Sequence, residues 1–167
     1  AGAWAEPAPV LSHRAHLKFD TTTHHVEIQD TVMVPADLLE LRLGAGLVLT
    51  KIVALDNALI DIDSAVEEAE DENGRYQRLD VLRMGLRRGG PVRLTYGGTF
   101  LESVEDVVFS RENVGGEITA TISDEGIYLS SAAQWLVGAE NTMATFELEI
   151  ETPTGFETVT QGERVFH

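Results

Sequence analysis

Histidine and carboxylate side chains are the residues of this sequence best suited to chemistry, and four of the five histidines come in close pairs. His13 and His16 are three positions apart, and His24 and His25 are adjacent. Successive side chains of a β-strand point to opposite faces, so neither pair can hold one metal ion if these residues lie in strands. Zinc also requires three or four convergent ligands. The sequence therefore predicts no metal site in this chain.

A run of acidic residues from Glu67 to Asn73, with Asp61 ahead of it, suggests calcium binding at first sight. The spacing of an EF-hand loop is not met, because Val66 stands where that loop needs a glycine. We therefore expect a solvated acidic loop. The dipeptide Asn73-Gly74 that closes the run is the strongest two-residue hairpin signal in the chain.

Motifs of known enzyme classes are missing from the sequence. It contains no cysteine, which excludes disulfides, thiolate metal sites and cysteine nucleophiles. No serine occurs in a G-x-S-x-G turn, no G-x-G-x-x-G opens a helix after a strand, and no HExxH zinc motif is present. The chain by itself is therefore predicted to have no catalytic activity.

Charge and hydropathy exclude two further classes of partner. The formal charge is −16, from 28 acidic and 12 basic residues, and such a field repels the phosphates of nucleic acids and anionic membrane surfaces. No apolar run approaches the roughly 18 to 20 residues of a transmembrane helix, so no membrane-spanning segment is predicted.

Short strands separated by turns are the elements predicted to position these residues. Four segments show apolar residues at every second position, which is the period of a half-buried strand: Ala15 to Phe19, Leu39 to Leu43, Val92 to Tyr96 and Phe146 to Ile150. Gly97-Gly98 is expected to end the third of these strands, and Thr158 to Thr160 to form the last strand of the chain. The charged residues 102–115 are predicted to form a loop or a helical turn.

The repeated alternation, with turn signals about every eight to twelve residues, predicts an all-β fold of ten or more strands, an antiparallel β-sandwich or a saddle of packed sheets. The length fits one domain. We place this domain at residues 13–167, after an extended lead-in over residues 1–12 that contains Pro7 and Pro9.

Several motifs occur in the order found in a known family. Residues Gly126 to Ser130 read G-I-Y-L-S, Ala144 to Glu147 read A-T-F-E, and Gly162-Glu163 closes the last run; Leu86 to Phe100 and His16 to Val34 add two similar strand patterns. This order resembles the N-terminal domain of zinc aminopeptidases typified by membrane alanyl aminopeptidase, the gluzincin family. The resemblance covers about residues 13–165.

The resemblance implies a β-rich saddle that packs on a thermolysin-like catalytic domain of the same polypeptide and helps to bind a peptide substrate. Zinc and the HExxH helix belong to that catalytic domain, so no cofactor is expected in this chain. The sequence is then a fragment of a longer metallopeptidase. Members of the family bind the free α-amino group of the peptide through a glutamine or glutamate between the G-x-Y-x-S and A-T-F-E strands.

Gln134 is the best candidate for this anchor, because it is the one amide or acid between Ser131 and Gly138. Glu125, just before the G-I-Y-L-S strand, is the second candidate. The family's T-Q-[FC]-E sequence is absent from this interval.

The segment from Ser130 to Gly138 carries no charge, whereas 24% of the whole chain is charged. Interface cores are depleted in charge and enriched in aromatic residues. We expect an interdomain interface formed by Tyr128, Trp135, Leu136 and Val137. The alternatives are burial of this segment within the sandwich itself, or a ligand cleft lined by Trp135.

Two functions remain open from the sequence: a domain of a zinc aminopeptidase, or a stand-alone β-sandwich binding module for peptide or carbohydrate. A reading frame that continues past His167 into an HExxH segment would favour the first. The small residues Ala1 to Ala3 fit either the remnant of a signal-peptide cleavage site or the edge of a domain, and we favour an exported bacterial protein.

Overall fold

The computed structural model describes residues 8–102 and 118–165, and it is mostly β, with 54% strand and 6% helix. Its sheets are rich in antiparallel pairs and form no closed barrel, which confirms the predicted all-β sandwich class. None of the helical segments in the described residues is long and apolar enough to span a bilayer. The prediction for residues 102–115 falls almost wholly outside the described residues.

Eleven strands and a few helical turns make up the described part of the chain. The strands are β1 (Val10–Asp20), β2 (His25–Val34), β3 (Glu40–Gly44), β4 (Val48–Val53), β5 (Leu59–Ile60), β6 (Val66–Asp71), β7 (Gly74–Asp80), β8 (Gly90–Thr99), β9 (Ala120–Ser123), β10 (Gly126–Leu129) and β11 (Met143–Glu151). A short helix α1 spans Ile62–Ala65, and 3-10 turns occupy Leu55–Asn57 and Ser131–Ala133.

These strands form one large and two small sheets. The six-stranded sheet has the order β11-β1-β2-β8-β4-β5, the three-stranded sheet has the order β3-β7-β6, and β9 pairs with β10. Every pairing is antiparallel except that of β1 with β11, which is parallel. Residues of the two larger sheets share one hydrophobic core cluster, so the sheets are the two layers of the sandwich.

Alternation of side chains fixes which face of the large sheet meets this core. In β2, Val26, Ile28, Asp30, Val32 and Val34 are buried, whereas the residues between them are exposed or half-buried. A register slip of one residue would turn all five of these side chains to the opposite face, so burial of this face specifies the register.

The acidic run predicted to be a loop is instead strand β6. Glu67 pairs with Arg78 of β7 at 2.8 Å, and Glu68 pairs with Arg75 at 3.0 Å. Glutamate and aspartate are unfavourable in strands, but the facing arginines compensate for their charge. The predicted hairpin is present, but its two-residue turn is Glu72-Asn73, one residue earlier than predicted. Gly74, with φ of 116°, is already the first residue of β7 and pairs with Asp71.

Gly97 and Gly98 do not end β8, which continues to Thr99. A Cβ atom at position 97 would lie 2.6 Å from the carbonyl oxygen of Val26, and one at position 98 would lie 2.8 Å from Cδ2 of Leu47. Glycine is therefore needed at position 97, where the neighbouring atom belongs to the backbone. At position 98 the nearest backbone atom, the carbonyl oxygen of Gly46, would lie 3.1 Å away.

Two further boundaries differ from the predictions. Strand β1 begins at Val10, so the last three residues of the predicted lead-in already belong to it. The segment Thr158 to Thr160 is not a strand, although the turn at Thr154-Gly155 before it is present.

Candidate functional site

An irregular pairing beside β3 holds the segment predicted to face a substrate. Arg42 and Gly138 exchange two backbone hydrogen bonds of 2.8 and 2.9 Å, and the N–H of Gly44 donates to the carbonyl of Gln134 at 3.2 Å. Residues 135–137 therefore stand opposite Leu43 alone. We call residues 134–138 the β3 bulge. Bulges redirect side chains and are frequent next to active sites.

The bulge begins at a tight turn. The 3-10 turn Ser131–Ala133 ends at Gln134, which adopts the left-handed conformation with φ of 47° and ψ of 38°. Gly44 permits the close approach of this turn, since a Cβ atom there would lie 3.0 Å from the carbonyl oxygen of Gln134 and 3.1 Å from that of Ala133. The side chain of Gln134 is exposed.

Arg42 fixes the far end of the bulge. Its guanidinium lies 4.5 Å from the ring centroid of Tyr76 and pairs with Glu40 and Asp71, each at 2.8 Å. It also reaches Glu140, just beyond the bulge, at 3.3 Å. Arg42 thus holds the segment both through its backbone, at Gly138, and through its side chain.

Three buried polar side chains lie in the core on strands β1, β2 and β8 of the large sheet. His13 Nδ1 and Asp30 Oδ2 are 2.8 Å apart, and both side chains are fully buried. Tyr96 lies diagonally across from Asp30, since Asp30 is paired with Leu94, two residues away. We call His13, Asp30 and Tyr96 the buried triad.

The phenol of Tyr96 approaches the bulge at the backbone N–H of Val137. Burial raises the pKa of Tyr96, the charge of Asp30 raises it further, and the backbone N–H of Val137 lowers it. The N–H of Val137 approaches the Tyr96 phenol without reaching hydrogen-bond geometry. Within the described part of the chain, Tyr96 Oη, His13 Nε2 and Asp30 Oδ1 have no hydrogen-bond partner. Unpaired buried polar atoms are rare in native proteins and need an explanation.

The predicted interface residues occupy different environments. Trp135 and Leu136 are half-buried and pack against the edge of the core, and Tyr128 is 54% exposed on β10. Val137 is only 2% exposed and belongs to the core itself. Its side chain is therefore not part of a surface, because it points inward from the bulge toward the large sheet.

Glu125 and Gln134 are not brought together at one end of the structure. Glu125 is an exposed residue of the turn between β9 and β10, and Gln134 follows the far end of β10. A strand of four residues is about 13 Å long. The two candidates therefore lie in separate places: Gln134 is on the β3 bulge, and Glu125 is in the turn between β9 and β10.

Within residues 8–102 and 118–165, no three histidine, aspartate or glutamate side chains converge as a metal site. His13 and His16 lie on opposite faces of β1, as their spacing predicted: His13 is buried and His16 is half-buried on the other face. His24 lies in the turn between β1 and β2, where its Nδ1 is 2.6 Å from the carbonyl oxygen of Ile122 in β9.

Sequence reasoning did not single out Arg42, which holds the bulge, or Asp30 and Tyr96, whose polar groups are buried in the core. Arg42 had a signal, since it is the central polar residue of the strand E-L-R-L-G. The alternation in β8 predicted that Tyr96 lies on the same face as Val92 and Leu94. The side chains that contact Tyr96 come from other strands and could not be predicted from local sequence.

No protein-family model matches the chain, and no curated protein matches it.

Proposed function

We propose that this chain is the non-catalytic N-terminal domain of a zinc aminopeptidase, packing on the catalytic domain of the same polypeptide and helping to bind the amino terminus of a peptide. The observation that carries the proposal is the β3 bulge. It presents an exposed amide, Gln134, beside the half-buried side chains of Trp135 and Leu136. Zinc and its ligands would belong to the catalytic domain, as the resemblance to the aminopeptidase family implies.

The chemistry of Gln134 suits the proposed role. A peptide amino terminus is an ammonium group, and the carbonyl oxygen of an amide can accept a hydrogen bond from it. A rigid support improves such a contact, because the anchor must hold one end of the substrate in register. The backbone bonds of Gln134 and Gly138 to β3 provide this support.

The half-buried residues of the bulge support the packing part of the proposal. Trp135 and Leu136 each keep a partly exposed apolar surface within a segment that carries no charge. Uncharged aromatic surface is typical of the centre of an interface. A catalytic domain that covers this surface would leave Gln134 at its rim, facing the substrate.

The first test is the reading frame beyond His167, which is expected to encode an HExxH motif followed by a further glutamate ligand. In that full-length enzyme, Gln134→Ala is expected to raise KM for peptides with a free amino terminus about tenfold, since a hydrogen bond to a charged group contributes about 1.5 kcal/mol or more. The matched control is Gln29→Ala, which removes an exposed amide from the outer face of the large sheet.

Two results would overturn the proposal. A reading frame that ends near His167, or continues without zinc ligands, would favour the stand-alone binding module. Equal KM values for the Gln134→Ala and Gln29→Ala enzymes would remove the anchoring role. The unmodified 167-residue chain should release no product from an amino-acid amide substrate, with or without added zinc.

A further inference from the structure

Strand β11 is a long edge strand with no partner on its outer side among the described residues. It spans Met143–Glu151 and pairs only with β1. The opposite edge of the same sheet is β5, which is only two residues long. Natural proteins shorten, bend or cover their edge strands because free N–H and C=O groups attract other strands. Among residues 8–102 and 118–165, no element covers the outer edge of β11, and the charged residues of this strand lie on one of its two faces.

One face of β11 is apolar and continues the inner face of the large sheet past the second layer of the sandwich. Phe146, Leu148 and Ile150 are paired in register with His13, Ala15 and Leu17 of β1, which are buried. Phe146 is nevertheless 43% exposed, and Leu148 and Ile150 are half-buried. The inner face of the sheet therefore stays apolar at its edge, where the second layer of the sandwich no longer covers it.

The other face of β11 is a row of carboxylates. Glu147 pairs with Arg14 at 3.2 Å and Glu151 with His16 at 2.9 Å, whereas Glu149 has no ion-pair partner among the described residues. Each of the three side chains is exposed. In the register with β1, Glu147 lies opposite Arg14 and Glu151 lies opposite Lys18, whereas Glu149 lies opposite His16. Glu149 is therefore the carboxylate of this row that is best placed to attract a further cation.

We propose that β11 binds an extended strand of a partner protein in which positively charged residues alternate with apolar ones. The partner's backbone would pair with the free edge. Its apolar side chains would cover Phe146, Leu148 and Ile150, and its cationic side chains would lie beside the row of glutamates. Strand addition of this kind takes affinity from the backbone bonds and specificity from alternate side chains.

Charge selects this occupant over a second copy of the chain. Two β11 strands paired with each other would place the glutamate rows side by side, and like charges on neighbouring strands are destabilising. Two molecules of formal charge −16 also repel each other at long range. A cationic strand relieves both penalties.

The test is binding of the synthetic peptide Thr-Lys-Val-Lys-Val-Lys-Thr, measured by calorimetry at low salt. The control peptide Lys-Lys-Lys-Val-Val-Thr-Thr has the same composition and charge without the alternation. We expect the alternating peptide to bind at least tenfold more tightly. Amide hydrogen exchange should slow in β11 when this peptide is bound.

Two matched variants locate the binding surface. Glu149→Lys reverses a charge on β11, and Glu72→Lys makes the same change at the exposed turn between β6 and β7. The first is expected to weaken binding of the alternating peptide at least tenfold, and the second by less than threefold. Equal binding of both peptides, equal effects of both variants, or self-association of the unmodified chain through β11 would each overturn the proposal.

Discussion

Strand β1 carries two histidine–carboxylate pairs of nearly equal length in opposite environments. His13 and Asp30 are 2.8 Å apart with both side chains fully buried. His16 and Glu151 are 2.9 Å apart, with side chains 34% and 54% exposed. The strand alternation alone separates them, because positions 13 and 16 lie on opposite faces.

The comparison shows that distance alone says little about what a polar contact contributes. His16 and Glu151 are accessible to water, so their polar atoms can still form hydrogen bonds with solvent after the pair is broken. On the buried side, His13 Nε2 and Asp30 Oδ1 already lack partners. Removing either residue there would leave the polar atoms of the other without their side-chain partner in a core closed to bulk solvent, which is far more destabilising than losing an exposed pair.

Asp30→Ala is expected to have the largest effect. Loss of one member of a buried pair lowers the free energy of unfolding by about 3–5 kcal/mol. Glu151→Ala, the matched change on the exposed face, is expected to lower it by less than about 1 kcal/mol. Denaturant unfolding of the two variants measures both values.

The double variant His13→Ala/Asp30→Ala serves as the control for this prediction. If the cost of Asp30→Ala comes from a stranded histidine, the double variant should be less destabilised than the sum of the two single variants. Additive effects, or a loss for Asp30→Ala no greater than that for Glu151→Ala, would contradict the assigned role of burial.

Tyr96→Phe is expected to have a smaller effect that depends on pH. Burial and then the charge of Asp30 raise the pKa of Tyr96, so the folded protein keeps the phenol protonated while the unfolded chain ionises near its ordinary pKa. Stability linked to Tyr96 is therefore fully present below pH about 10 and falls as the pH rises above it. At pH 11 the loss is about 1.4 kcal/mol.

Phenylalanine cannot ionise, so the variant does not lose this stability at high pH. Between pH 8 and pH 11, the free energy of unfolding of Tyr96→Phe should therefore rise by about 1.4 kcal/mol relative to that of the unmodified chain. Other groups titrate in both proteins and cancel in the difference. Unfolding free energies at the two pH values provide the measurement. A difference that does not change with pH would mean that Tyr96 ionises in the folded state as readily as in the unfolded chain.

Local sequence predicted the faces of β1 but not the partners of its histidines. His13 lies on the same face as Ala15 and Leu17 and is buried with them, opposite to His16. Its partner Asp30 depends on the register between β1 and β2, in which His13 faces Val32. That register follows from burial of whole strands rather than from any short motif.

The β3 bulge was even harder to predict from the sequence. The interval holding Gln134 was found through its lack of charge, but its shape depends on Arg42 and Gly44, which lie about ninety residues earlier in the chain. The prediction of a loop at β6 was wrong for a similar reason. Acidic residues have low strand propensity, but ion pairs with Arg75 and Arg78 stabilise this strand. In both cases tertiary contacts decide the outcome.

The smallest expected effect is the coupling between His16 and Glu151. Both side chains are partly exposed, so solvent and salt screen their attraction. A double-mutant cycle with His16→Ala and Glu151→Ala should give a coupling energy below about 1 kcal/mol, decreasing as salt is added. The same cycle on His13 and Asp30 should give a larger value that salt hardly changes, because the pair has no contact with water. Similar coupling energies for the two cycles would break the comparison, since the difference in burial would then have no energetic consequence.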